Sequence, residues 1–440
     1  MQWAGQNERM STEPPGVVAG PRRRVVVLFA LLLAVVLAAL TEGGARLWSA
    51  WRERRDHLRV FAVGPPLSPD KAEATARALG LDDYEMADPL RPGRWRLRPG
   101  YRASFAEMLE RKRAAGRSLT VRHMEQAGPE LGIAADETAV EVNADGYRGP
   151  ALDPGQVRFR ILTLGDSCTF GSPLSERYPY ARTLERELNG SGYEVEVVNG
   201  GVEGYSPDDV LARIDEFAAL RPQLVTLYIG WNALYRDRFL DDARGPRRYL
   251  HSARLLSRVV EAARAKLSDG RQAAVEAYER PRRADRGAQE LRLLDTYVPS
   301  FFPDVARIVE RMQAAGSRVV ILTLPGLYAT DVAPSARALE IGHLPTFTDN
   351  PFVLAGMAER YNHALRGLAR DRGVVLVDLD RWARETLAPP EDHFIDSVHL
   401  DERGQERAGL YLAQALAPLL PGGVATGGQP DPASGPNGRD

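Results

Sequence analysis

The chain has 440 residues, 44% of them hydrophobic, which is enough apolar material for a sizeable core in one large domain or two smaller ones and excludes a disordered protein. With 57 basic and 59 acidic side chains the formal net charge is −2, so no global field draws nucleic acid or an anionic surface, and no nucleic-acid signature is visible. The single cysteine, Cys168, cannot close an intramolecular disulfide, so the fold must rest on burial alone.

Arg22, Arg23 and Arg24 precede Val25 to Leu40, a run without a polar side chain, and only Thr41 and Glu42 interrupt it before Gly43-Gly44-Ala45. As a helix, residues 25–45 would be about 31 Å long, enough to cross a hydrocarbon core. A secretory signal is the rival reading, since Gly43-x-Ala45 is a passable cleavage site. The length of the apolar run favours an uncleaved single-pass anchor over 25–45, with Trp48 and Trp51 as interfacial residues beyond it. Arginines flank both ends, so a count of cations does not set the orientation. A short leader with a tight basic cluster does, because a large following domain is translocated largely regardless of its charge. Residues 1–24 are therefore expected in the cytoplasm and everything after about residue 48 outside it.

Residues 46–136 are rich in Arg, Ala and Glu, with expected helices at Pro69–Leu79 and Phe105–Ala115, and read as a stalk or small lid subdomain. A larger domain is expected over 137–420. Thr138 to Val142 alternates like a strand, and Asn143-Ala-Asp-Gly146 is a turn leading to Tyr147-Arg148-Gly149. Tyr147 and Arg148 either border a substrate cleft or close a hairpin at the domain edge. Strands follow at Phe159–Leu164, Glu194–Asn199, Leu224–Ile229, Arg318–Thr323 and Val374–Asp378. Helical patterns lie near Tyr180–Leu188, Pro207–Leu220, Pro299–Ala315, Pro351–Arg370 and Gly404–Leu420. That alternation predicts an α/β fold, a parallel sheet with helices on both faces.

The long connection after Asn232 carries two expected helices, His251–Leu267 and Arg271–Glu290, whose charges read as a solvated face rather than a binding patch. A second connection, Pro325–Asn350, has little periodicity, and such loops above a sheet often form substrate walls; Phe347 is its candidate cleft residue. Residues 421–440 are Gly, Pro, Ser and Asp, too polar to fold.

The chemistry gathers around Ile161-Leu-Thr-Leu-Gly-Asp-Ser167, a buried strand running into a sharp turn, and parallel sheets keep their working loops at the carboxyl ends of strands. Gly-Asp-Ser alone is weak, because these are also ordinary turn residues. Thr169 stands where a Gly-x-Ser-x-Gly elbow would need its last glycine, which argues against that other serine-hydrolase class. Cys168, beside the serine, reads as a small buried thiol filling space. Three further stretches fall in order: Asn199-Gly-Gly-Val-Glu-Gly204, Ile229-Gly-Trp-Asn232 and Asp396-Ser-Val-His399. Gly204 sits just before Ser206-Pro-Asp-Asp209, a well-formed helix start, a place that favours a developing negative charge. A serine hydroxyl needs a base, and the base a carboxylate to fix its tautomer; Asp396 and His399, three residues apart, offer that pair. His393 lacks an acid at the same spacing. Activity is then expected to rise with pH as the histidine loses its proton, near its ordinary value of about 6.5.

Together these four stretches resemble the SGNH (GDSL) hydrolase family, over roughly residues 140–420. The Asn-x-Asp-Gly-Tyr-Arg-Gly lead-in at 143–149 is similar to that of its membrane-anchored members. The resemblance implies a three-layer α/β/α, flavodoxin-like parallel sheet and a nucleophile at Ser167. It also implies oxyanion donors at the N–H groups of Ser167 and Gly204 and the Asn232 amide, a base at His399 and its carboxylate at Asp396. It departs at Ala233, where the family's third block usually has an aspartate. The implied activity is cleavage or transfer of an O-acyl ester through an acyl-enzyme, on acetyl or short acyl groups of envelope or exported carbohydrate or lipid. No metal is expected, since neither Cys/His pairs nor His-Glu-x-x-His occurs, and no cofactor is expected. A reading of another class, a catalytically silent envelope binding or assembly module, is motivated by Ala233 and opposed by the intact serine and histidine.

Overall fold

A computed structural model of the chain describes residues 21–61, 63–155, 158–243, 245–267 and 280–422. Helix α1 (Pro21–Arg59) leads the chain. Its segment Val25–Arg52 is, among the described residues, the one helix long and apolar enough to cross a membrane, with a mean hydropathy of 2.8 and none of its apolar stretch buried. After α2 (Pro69–Leu79) come two small antiparallel pairs. Strand β1 (Glu85–Ala87) pairs with β2 (Trp95–Leu97), and β3 (Arg102–Ser104) pairs with β4 (Thr138–Glu141). Helices α3 (Phe105–Ala114) and α4 (Ser118–Glu130) bridge the second pair. Ser104 starts α3 with a reciprocal cap: its hydroxyl accepts from the Glu107 N–H while the Glu107 carboxylate accepts from the Ser104 N–H.

Much of the expected stalk or lid subdomain over 46–136 packs on the larger unit. Tyr84, Leu97, Ala103, Met108 and Met124 are buried in the same core as the central sheet. The β3–β4 register, Arg102 opposite Glu141 and Ala103 opposite Val140, crosses the expected boundary at 136/137. Three-residue strands show no periodicity, so only the fold reveals that they close over the larger unit.

The central sheet has five parallel strands: β5 (Phe159–Gly165), β6 (Val195–Gly201), β7 (Leu224–Tyr228), β8 (Arg318–Leu322) and β9 (Val375–Val377). Their spatial order is β6-β5-β7-β8-β9. Consecutive strand residues point to opposite faces, and β6 and β7 are buried throughout, so both faces are covered. The order reverses direction at β5, and this is where open α/β sheets place their ligand crevice. Register then levels the crevice floor: Gly165 at the end of β5 pairs with Gly201 of β6 on one side and Tyr228 of β7 on the other. Three loops therefore leave the sheet side by side.

The expected helices form at Tyr180–Gly190, Phe302–Ala314, Pro351–Arg372 and Glu402–Leu416. The helix expected over 207–220 is broken at Arg213 into Pro207–Ala212 and Ile214–Ala219. Of the expected helix 271–290, residues 271–279 lie outside the described residues. Residues 280–288 are irregular, where Pro281 cannot donate and Asp285 accepts from the Gly287 N–H in a tight turn. The expected tail falls beyond the described residues from 423 on.

Tyr147 and Arg148 belong to this scaffold. Tyr147 is buried with its ring against Phe217, and Arg148 donates to the carbonyls of Ala139, Phe170, Gly171 and Leu174 while pairing with Glu176 at 2.9 Å. A buried guanidinium that satisfies so many carbonyls fixes loop geometry and leaves no donor for a substrate, so these contacts favour the hairpin reading of this turn over the cleft reading.

Candidate active site

Ser167 opens a one-turn helix, Ser167–Phe170, directly after β5. Asp166 makes the turn: its buried carboxylate accepts from the Cys168 N–H at 3.0 Å and caps the helix. Gly165 is required by close approach, because a Cβ there would meet the Thr169 hydroxyl at 2.0 Å and the Tyr228 carbonyl at 2.3 Å. Cys168 is buried, with its thiol 3.4 Å from the Val398 carbonyl, and burial pushes its pKa well above the ordinary thiol range. It is packing, as expected, and no nucleophile.

Ser167 Oγ lies 2.7 Å from His399 Nε2, and His399 Nδ1 lies 2.7 Å from Asp396 Oδ2. The other Asp396 oxygen accepts from the N–H groups of Val398 and His399 at 2.8 and 2.9 Å, so the carboxylate is held by the turn it sits on. That turn is closed by the Ile395 N–H donating to the His399 carbonyl. Burial disfavours charge on both partners, but each charge stabilises the other. Asp396 is held well below the usual carboxylate range, and His399 is raised to about 9. His393 is elsewhere, 3.4 Å from Arg407.

The second and third blocks flank this relay. Asn199 is buried and fastens β6 to the nucleophile turn, donating to the carbonyls of Thr169 and Phe170 and accepting from the Gly201 N–H. Gly204 follows β6 with φ +74°, and the Trp95 ring lies 3.1 Å from where its Cβ would be. Trp95 also donates its indole N–H to the Glu203 carbonyl at 2.9 Å and accepts at its own carbonyl from the Tyr205 hydroxyl. After β7, the Asn232 amide donates to the Tyr205 carbonyl at 3.1 Å, which leaves its second N–H for another acceptor. Among the described residues, the N–H groups of Ser167 and Gly204 are committed to no acceptor.

Ala233 leaves the third block without its usual acid, yet the loop is fixed in other ways. Gly230 sits at φ +146° with the Tyr361 ring 2.5 Å from its would-be Cβ, and the Tyr361 hydroxyl donates to the Ile229 carbonyl at 2.8 Å. Five residues after Asn232, the Asp237 carboxylate accepts from the Phe239 N–H and the Tyr297 hydroxyl.

Sequence reasoning missed several residues that serve the site. His343 lies with Nδ1 3.7 Å from Asp396 Oδ2, its ring beside Tyr235; burial lowers its pKa, so it stands there neutral. Gln405 ties the last helix to the nucleophile turn, donating to the Cys168 carbonyl and accepting from the Tyr180 N–H. Phe347, the expected cleft residue, is half-buried against the core. No motif could have marked His343 or Gln405, because each acts across a long stretch of chain. Among the described residues no cluster of His, Cys, Asp or Glu is arranged to hold a metal ion.

The family model of the GDSL-like lipase/acylhydrolase family matches residues 163–407, over half of the chain. Solved structures similar to this chain include an acetyl xylan esterase, at 15% identity and a TM-score of 0.35 over 58% of this chain and 99% of that one. The lipase/acylhydrolase from Enterococcus faecalis gives 17% and 0.35 over 60% and 97%. Axe2, an acetylxylan esterase from Geobacillus stearothermophilus, gives 16% and 0.36 over 58% and 93%. No curated protein matches the chain.

Proposed function

Because the chain belongs to the GDSL-like lipase/acylhydrolase family and is a serine esterase of it, we propose that it cleaves short O-acyl esters through an acyl-enzyme on Ser167. The observation that carries this reading is the continuous relay from Asp396 through His399 to Ser167, with 2.7 Å at each step. Ser167 Oγ attacks the ester carbonyl carbon and gives its proton to His399 Nε2. The carbonyl oxygen becomes an oxyanion, which accepts from the Ser167 and Gly204 N–H groups and the second N–H of Asn232. On collapse the leaving alcohol takes the proton from His399, and water repeats the sequence to release the acid.

This assignment is tested at its least obvious member. Asn232→Ala should lower turnover about a hundredfold or more with little change in KM, since a donor to the oxyanion acts on the transition state. Weaker binding with unchanged turnover would make Asn232 a substrate contact instead.

The pH profile tests the base. His399 must be neutral to accept the proton, and its pKa is raised, so kcat/KM should climb with pH along a limb displaced from 6.5 toward 9. A midpoint at or below 6.5 would show that Asp396 does not charge-stabilise it.

Helix α1 supports a substrate on the cell envelope, an acetyl or short acyl group on carbohydrate or lipid, met by a catalytic domain outside the cytoplasm. Fusing alkaline phosphatase after residue 60 should give an active phosphatase. A bright cytoplasmic fluorophore at the same place, with inactive phosphatase, would reverse the topology and remove the envelope substrate. A mature chain beginning near Arg46 would keep the location and remove the anchor.

A further inference from the structure

Among the described residues, the fold gathers several of the charges that follow Asn232. The helix His251–Leu267 packs beside the connection that follows β7. Between them, Arg236, Arg238, Arg248, Arg254 and Arg258 line an open cavity of about 540 Å³. A second cavity of about 490 Å³ adjoins it, the two sharing Ala243, Arg248 and Leu293. Two carboxylates, Asp237 and Asp242, line the same cavity as the five arginines, and Glu290 lines the adjoining one. Asp237 is engaged with the Phe239 N–H and the Tyr297 hydroxyl, Asp242 pairs with Arg258 at 3.3 Å, and Glu261 pairs with Arg238. Among the described residues, the Nε atoms of Arg238 and Arg258 are buried and meet no acceptor. Clustered guanidiniums with spare donors suit a phosphate, which accepts from several at once.

The cavity also lies beside the apolar helix. The Glu42 carboxylate of α1 accepts from the N–H groups of His251 and Ser252 and from the Ser252 hydroxyl, at 2.9 to 3.0 Å. The first turn of His251–Leu267 is thereby fastened to α1 close to the end of its apolar run. Arg254 and Arg258 follow within about 10 Å along the helix. Around them Tyr249, Leu256, Val259 and Val298 are each more than half exposed, an apolar rim that water does not favour and an acyl–headgroup boundary does. On α1, Arg52 and Arg55 stack over Trp48 and Trp51, the residue types of a membrane interface.

We propose that this arginine-lined cavity holds the phosphate of an anionic phospholipid from the bilayer that α1 crosses, with the exposed apolar rim against its acyl chains. The proposal rests on the membrane reading of α1. Its consequence is positional. Arg236, in the same cavity, reaches the Ser206 hydroxyl at 3.4 Å, two residues from Gly204, so a bound lipid would hold the esterase site against the membrane surface.

The test uses the full-length protein in nonionic detergent micelles, with lipid retention read by native mass spectrometry. Wild-type protein should retain one phosphatidylglycerol at concentrations where phosphatidylcholine is not retained. The pair R248Q/R258Q should weaken that retention about tenfold or more, roughly 1.4 kcal/mol. The pair R248K/R258K keeps the charge, so it should melt like wild type and still retain the lipid. Equal retention of the two lipids would overturn the proposal. So would unchanged retention in an R248Q/R258Q protein that melts like wild type, or loss of retention in a normally melting R248K/R258K protein. Complete displacement of phosphatidylglycerol by millimolar inorganic phosphate would overturn the lipid assignment in favour of free phosphate. Since micelle retention does not require α1 to span, a failure of the anchor is read separately, as release of the protein from membranes by alkaline carbonate.

Discussion

Ser167→Ala is expected to abolish hydrolysis of short-chain nitrophenyl esters, a loss of about a millionfold in turnover, while thermal unfolding stays nearly unchanged. The two effects separate because the hydroxyl's partner is His399 Nε2, a contact that serves bond making, whereas the turn is held by Asp166, Gly165 and Asn199. Residual catalysis over water would come from the oxyanion donors and substrate binding, which the substitution leaves in place. Steady-state assay of purified protein beside a melting curve reads both at once. A Ser167→Ala protein with wild-type turnover would end the mechanism; one that melts far lower would make the serine structural.

Asp396→Asn should cost about ten-thousandfold in turnover with the fold intact. The asparagine oxygen can still accept from the Val398 and His399 N–H groups, so the turn survives. Its amide would instead face His399 Nδ1 as a donor, forcing the proton to Nε2, the atom that must accept from Ser167. The negative charge that holds His399 up disappears too, so whatever activity remains should show its rising limb shifted down toward the ordinary histidine value. Unchanged turnover, or a limb that stays alkaline, would mean that another group supplies the carboxylate's effect. His343, 3.7 Å from Asp396, is neutral and cannot do so.

The parts of this fold legible in the sequence are those with local causes. β5 reads as Phe159 to Leu164 because a strand buried on both faces is mostly apolar, as Ile161, Leu162 and Leu164 are here, and Gly165 ends it because nothing larger fits under Thr169. Ser167, Gly204, Asn232, Asp396 and His399 were visible because four short blocks carry them, and their proximity in space follows from parallel strands whose loops leave one edge. What was not legible depends on long-range contact. Tyr147 and Arg148 sit in a motif and look functional, but the carbonyls of residues 139, 170, 171 and 174 claim the arginine. Trp95 meets Gly204 from over a hundred residues away, on a strand too short to show a period. Tyr361 fastens the third block at the Ile229 carbonyl from within a helix far along the chain. The insertion after Asn232 is open to two readings for a related reason. Arginine-rich composition describes a solvated face and a cavity equally well until the helix is placed.

The most direct measurement is reaction of the folded full-length protein with a serine-directed fluorophosphonate, followed by intact mass and peptide mapping. The account predicts a single adduct on Ser167, formed faster as pH rises and slowed severely in His399→Ala, because the phosphonyl group is captured by the same activated oxygen and the same donors as an ester. A folded protein that takes no label, or takes it on a residue other than Ser167, would contradict it.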